Sequence, residues 1–173
     1  MALDRAGCLG LDLRDPLADH RRAFALPEGV VYLDGNSLGP LPAATAARLR
    51  QVVEREWGHG LIGSWSDAGW IDAARRVGAK IARLIGAAED EVICADSTSV
   101  NLFKALAAAL RLQHNAAPGC DVILSERGNF PTDLYIAQAI TEVFGGRYRL
   151  LTVPGEEIAY HIDDGTAVVL LTH

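Results

Sequence analysis

Beyond Val92, short apolar runs alternate with segments of helical period, and this alternation constrains the fold more than any other feature of the chain. Val92-Ile93-Cys94-Ala95 gives way to a polar turn, Asp96-Ser97-Thr98-Ser99, and then to a long segment carrying Leu102, Phe103, Leu106 and Leu110 at helical spacing. Asp121-Val122-Ile123-Leu124-Ser125 reads as the next strand, Asn129-Phe130-Pro131-Thr132-Asp133 as the loop beyond it, and residues 133–144 as a helix. Tyr148 to Val153 and Ala167 to Leu171 are two more strand candidates. The second is almost wholly apolar, as a strand covered on both faces is. Strand, polar turn, helix and strand in succession make the unit of a parallel α/β sheet. The last strand candidate runs directly into Thr172-His173, where an α/β protein ordinarily supplies a functional loop and its next crossover. The sequence is therefore expected to be the N-terminal part of a longer protein, a truncated α/β domain.

The first half has a different texture. Residues 11–28 scatter Leu and Phe24 among charges, the pattern of a short helix or irregular arm. Val30-Val31-Tyr32-Leu33 reads as a short strand and Asp34-Gly35-Asn36-Ser37 as the turn that ends it. Pro42 suits the first turn of an amphipathic helix whose face carries Leu49, Val52, Val53 and Trp57, broken at Gly58 and Gly60. Gly58 to Gly69 reads as a loop. A second periodic stretch, Trp70, Ala73, Val77, Ile81, Leu84 and Ile85, stops at Gly86.

Composition excludes several classes. Of 173 residues half are hydrophobic and 22% charged, which suits one sizeable core and excludes a disordered or collagenous chain. A net charge of −6 and the lack of a basic stripe argue against nucleic acid as a partner. Charges break up the first fifteen residues, so no signal-peptide core is present, and Lys104 and Arg111 interrupt the most helix-like apolar stretch, well short of the roughly 18 residues a membrane span needs. The expectation is a cytoplasmic protein without a membrane partner. Cys8, Cys94 and Cys120 have no paired spacing, and no metal motif, Walker sequence or GxGxxG occurs, so no metal site is expected.

Four places can carry chemistry. Asp96-Ser97-Thr98-Ser99 lies between a strand and a helix, where hydroxyls and unpartnered amides can hold a phosphate, or where Ser97 or Thr98 simply caps the helix. Phe130 ahead of Pro131 can present a flat face to an aromatic ligand, while Asp133 either orients a ring substituent or caps the helix after it. The Asp34 to Gly39 turn, with Asn36 and Ser37, can offer polar groups to an anionic substrate or be an ordinary glycine-rich turn. Of the three tryptophans, Trp57 and Trp70 fit buried helix faces, and Trp65, in the glycine-bounded loop, is the better candidate for lining a pocket, with core or interface packing the commoner role for each.

Taken in order, these segments resemble the bacterial kynureninases. The likeness is carried by Phe24-Ala25-Leu26-Pro27-Glu28-Gly29, Tyr32 to Gly39, Trp57-Gly58 with Gly60-Leu61-Ile62, Ser64-Trp65 and Gly69-Trp70. It continues through Asp96 to Lys104, Asn129 to Tyr135, and Ala167 to His173. The resemblance implies the N-terminal part of a pyridoxal 5′-phosphate-dependent, aspartate-aminotransferase-like large domain with a mainly parallel sheet. Residues 1–40 would be an arm reaching the small domain or the rim of the active site, and residues 41–173 an incomplete cofactor-binding domain. It implies a homodimer that hydrolyses L-kynurenine to anthranilate and L-alanine in tryptophan breakdown. Carried onto this chain, Ser97 and Thr98 would hold the cofactor phosphate, Phe130 would stack on the pyridine ring and Asp133 would contact its ring-oxygen side. Asn36, Ser37 and Trp65 would line the substrate pocket. His173 would begin the loop after the central strand. The Schiff-base lysine and the pyridinium carboxylate lie, in the family, beyond His173, so no catalytic residue is assigned and neither Lys80 nor Lys104 takes their place. A fragment alone would then be inactive. Two other readings stay open: a noncatalytic α/β phosphate-binding or assembly module, and a different lyase of the same cofactor class, such as a cysteine desulfurase-like enzyme.

Overall fold

A computed structural model describes residues 4–172, and the chain divides into two compact units, Met1–Arg76 and Val77–His173. In the first unit, helix α1 (Arg5–Asp12) is capped by Asp4, whose carboxylate accepts from the Gly7 amide at 2.8 Å. A 3₁₀ turn, Ala18–Ala23, leads to strand β1 (Phe24–Ala25), which pairs antiparallel with β2 (Leu41–Pro42). Between them lies the expected turn: the Ser37 hydroxyl donates to Asp34 Oδ1 at 2.8 Å, and the Tyr32 hydroxyl donates to the Leu38 carbonyl at 2.6 Å. The expected strand Val30–Leu33 is not formed; with no partner to complete its ladder it stays an exposed connection, Val31 82% and Leu33 88% accessible.

Helix α2 (Thr45–Gln51) runs into a π-helical turn, Val52–Trp57, where the Gly58 amide reaches back to the Val53 carbonyl at 3.0 Å. Two expectations fail here. Pro42 belongs to β2 rather than to the helix, because its ring is accommodated at a short edge strand. Trp57 is 65% exposed, not buried, since the wider π turn shifts the apolar face away from straight helical register. The segment from Gly58 to Gly69 is not an open loop either. It winds into a 3₁₀ turn, Leu61–Gly63, and the short helix α3 (Ser64–Asp67), ending at Gly69 with φ +64°, the left-handed region that glycine occupies freely. A 3₁₀ turn at Trp70–Asp72 then feeds α4 (Ala73–Ile85), which crosses the division between the units and stops as expected at Gly86, φ +75°.

The second unit is a three-stranded parallel sheet. Strands β3 (Val122–Glu126), β4 (Arg149–Val153) and β5 (Thr166–Leu170) lie in the order β4-β3-β5, joined by α6 (Pro131–Val143) and by a 3₁₀ segment, Gly155–His161. The helix α5 (Thr98–Ala116) precedes β3. Central β3 is buried on both faces. Ile123 packs with Leu106 and Leu110 of α5 and Ala137 and Ile140 of α6, while Val122 and Leu124 meet Val153 and Ile158 on the other side. Helical spacing in α5 and α6 and period two in β3 thus converge on one layered core.

The expected strand Val92–Ala95 forms no strand among the described residues, and Ile93 is 70% exposed. Its backbone instead lies against α4. A Cβ on Gly78 would sit 2.1 Å from the Val92 carbonyl oxygen, so only glycine permits this approach.

Candidate functional site

Two helix N-termini share one edge of the second unit. The far ends of α5 and α6 meet at Arg111, His114, Phe144, Arg147 and Tyr148, which line one hollow of about 230 Å³, and the Tyr148 hydroxyl donates to the Leu110 carbonyl at 3.0 Å. Since each helix runs antiparallel to β3, their N-termini lie at the opposite edge, beside the carboxyl ends of the strands. In open α/β sheets that is the edge where ligands bind.

At the start of α5, Ser97 is the cap residue and its hydroxyl accepts from the Val100 amide at a long 3.4 Å, while Thr98 is the first helical residue. The capping role and the phosphate role are therefore compatible: the amides of Thr98 and Ser99 precede any helical acceptor and face outward. The turn before them is held under tension. Asp96 has φ +47°, and it is pinned by an ion pair with Lys104 and by the Asn101 amide, which donates to the Ala95 carbonyl at 2.6 Å. Lys104 is thus committed to its own turn. Its charge also offsets the carboxylate that would otherwise repel an anion at this helix end.

At the start of α6, Phe130 occupies the cap position and Pro131 the first helical position, so the helix begins two residues before the expected loop ends. Phe130 is 59% exposed, its ring available to a flat ligand. Its backbone is fixed by a buried polar cluster that the sequence reading did not single out. The Asn129 side chain accepts from the Phe130 amide at 2.6 Å and donates to the Ser125 hydroxyl at 2.9 Å; that hydroxyl donates to the Leu170 carbonyl of β5 at 2.8 Å. The signal was present in β3, where a buried serine ends the apolar run Val122-Ile123-Leu124. Asp133 does not cap α6. It lies in the first turn, 7% exposed, and its carboxylate accepts from the Thr172 hydroxyl at 2.9 Å, which ties α6 to the segment leaving β5. His173 lies outside the described residues.

In the first unit, Asn36 and Ser37 are exposed on their turn, beside an apolar hollow of about 270 Å³ lined by Leu26, Pro27, Val30, Tyr32, Leu38 and Leu41, among others. Trp65, 49% exposed, stands on α3. The residues on either side of it are held by one that sequence reasoning missed. Glu56 takes the Trp70 indole N–H on Oε2 at 2.7 Å and pairs with Arg48 through Oε1, and its carbonyl accepts the buried Ser64 hydroxyl at 2.6 Å. Hydrogen bonds from Arg48 first and Trp70 second hold the Glu56 carboxyl below the ordinary glutamate range, against the effect of its partial desolvation. An acidic residue among helix-surface charges gave no hint of this.

Among the described residues no group of histidines, cysteines and carboxylates suits a metal ion, and no helix is long and apolar enough to cross a membrane. The second unit is thus a parallel α/β layer with a serine-capped helix N-terminus and an exposed aromatic at the edge beside the carboxyl ends of its strands. No family model matches the chain. Against curated proteins the chain matches the N-terminal part of kynureninase: it is 53% identical over 170 residues to the enzyme of Pseudomonas fluorescens. It is 54% identical over 171 residues to those of Burkholderia mallei (strain SAVP1) and Burkholderia pseudomallei (strain K96243). In each case 98% of this chain is covered but only 41% of the relative, so the chain spans about two-fifths of the length of the kynureninases it matches.

Proposed function

We propose that this chain is the N-terminal part of a pyridoxal 5′-phosphate-dependent kynureninase, which in its full length hydrolyses L-kynurenine to anthranilate and L-alanine. The observation that carries the reading is the match of more than half of all positions, along 98% of the chain, to proteins of that name. The residues fit the cofactor. A 19-residue helix opens with Ser97 and Thr98 and an acid-neutralising lysine, a cradle suited to a phosphate dianion. At the same sheet edge Phe130 offers a stacking face on a backbone locked by Asn129, and Asp133 offers a carboxylate held by Thr172.

Bound there, the cofactor would supply an electron sink for breaking bonds at the substrate's α and β carbons. The chain's own residues would do the holding. Ser97 and Thr98 would fix the phosphate, Phe130 would set the plane of the ring, and Asp133 would accept or orient a hydrogen bond on the ring-oxygen side. Asn36 and Ser37 would meet polar groups of the substrate, with the apolar hollow beside them suited to an aromatic portion, and Trp65 would wall the pocket. The Schiff-base lysine and the pyridinium carboxylate would come from residues beyond His173; Lys104 is held by Asp96 and Lys80 lies exposed on α4. Residues 1–40 would serve as an arm near the active-site rim and residues 41–173 as the first part of the cofactor domain. A cytoplasmic homodimer completes the reading.

The test is borohydride reduction of the full-length protein followed by intact mass, with anthranilate release from L-kynurenine measured alongside. One pyridoxyl adduct per chain and kynurenine turnover without comparable cysteine turnover are expected. Cysteine turnover alone would replace the reading with a desulfurase-like lyase, and neither adduct nor turnover would replace it with a noncatalytic module.

A further inference from the structure

We propose that Glu56 is a positioning residue for Trp65, acting as a clamp that closes both ends of the short helical segment on which Trp65 stands. The inference rests on the reading of Trp65 as a pocket residue and extends it to the machinery behind that residue.

Trp65 lies between Ser64 and Trp70, and Glu56 holds both. Its carbonyl takes the Ser64 hydroxyl at 2.6 Å, immediately before Trp65, and its carboxylate takes the Trp70 indole at 2.7 Å, five residues after it. Ser64 is buried, and the Glu56 side chain is only 12% exposed, whereas a solvated surface glutamate makes no such pair of contacts. The π turn Val52–Trp57 is what presents this carbonyl away from the ordinary helical ladder, where the residue four positions on would engage it. Gly60 completes the geometry. A Cβ there would lie 2.1 Å from Ser64 Oγ and 2.6 Å from the Glu56 carbonyl oxygen, so a side chain would abolish the contact. At the far end, Arg76 donates to the Gly69 carbonyl at 2.6 Å and holds the left-handed turn before Trp70. Arg48, half-exposed, orients the carboxylate so that its other oxygen is free for the indole. The half-exposed Trp65 ring is therefore placed by a backbone anchored on either side through one residue.

The experiment compares E56Q, S64A, W65F and the double variant E56Q/W65F in the full-length protein. With tryptophan labelled at the indole nitrogen, E56Q is expected to move the Trp65 indole N–H resonance as well as that of Trp70, and S64A to move the Trp65 signal alone. In turnover, E56Q is expected to raise KM for L-kynurenine about three- to tenfold with kcat nearly retained, the range of one or two lost hydrogen bonds. In E56Q/W65F that penalty should vanish against W65F, because Glu56 then has nothing to position. An unmoved Trp65 resonance in both E56Q and S64A, or additive penalties in the double variant, overturns the proposal. Absence of kynurenine turnover in the unaltered protein would refute the functional reading instead, and the Trp65 resonance would still decide the clamp.

Discussion

Asn129 shows how far an exposed aromatic such as Phe130 depends on a buried side chain beside it. It is 4% exposed, and its amide satisfies the Phe130 backbone on one side and Ser125 and the β5 backbone on the other. Asn129→Ala would leave the Phe130 amide without its partner and take from the Ser125 hydroxyl the one donor it accepts from, a loss of about 1–3 kcal/mol. The expected outcome is a matching fall in the urea midpoint of unfolding together with weaker cofactor retention on dialysis; loss of stability with unchanged retention would show that Phe130 is held some other way. Phe130 itself was legible in the sequence, as an aromatic before proline at a strand-to-helix turn. Its support was not, since a buried asparagine and an exposed one look alike in a string of letters. The partner that decides the matter, Leu170, lies 41 residues away from Asn129.

At the level of elements, Glu56 gives the first unit a dependence on acid. Its carboxyl is held below the ordinary glutamate range by Arg48 and then by the Trp70 indole, so the unfolded chain binds the proton more readily than the folded one. The stabilisation is therefore complete above the ordinary glutamate value and is lost as pH falls from there through the depressed one. Thermal melts across the acid range should show the difference between the unaltered protein and E56Q shrinking over that interval; a difference that stays constant or grows as the solution is acidified would contradict the assignment. The elements differ in how readable they were. α4, α5, α6 and strands β3 to β5 each announce themselves by period and punctuation, and each forms within a few residues of expectation. Val30–Leu33 and Val92–Ala95 have the composition of strands but no strand beside them, and a ladder needs a partner that composition cannot supply. The π turn after α2 was invisible because a single-residue change of helical hydrogen bonding leaves the apolar spacing almost intact.

For the whole chain, the sheet carries the main consequence. β4 and β5 are both edge strands among the described residues, and β5 is apolar along most of its length, Ala167 to Leu170, yet only half-buried. An unpaired edge of this kind is a template for pairing with further strands. Prepared alone, the 173-residue chain is expected to self-associate, its weight-average mass in sedimentation velocity rising with concentration. A strictly monomeric chain at every concentration would mean that the edge is protected. The fold class was readable at this scale because alternation of strand and helix survives in sequence even where single strands do not.

The hydrogen bond from Ser125 to the Leu170 carbonyl also fixes a chronology. Ser125 and Asn129 are synthesised long before Leu170, and until that residue leaves the ribosome their polar groups have no β5 backbone to bind. The aromatic platform at Phe130 is therefore completed late, by a contact of high sequence separation, however early β3 and α6 take shape. A nascent chain arrested before β5 emerges would hold its helices and still lack the rigid ring that a cofactor would rest upon.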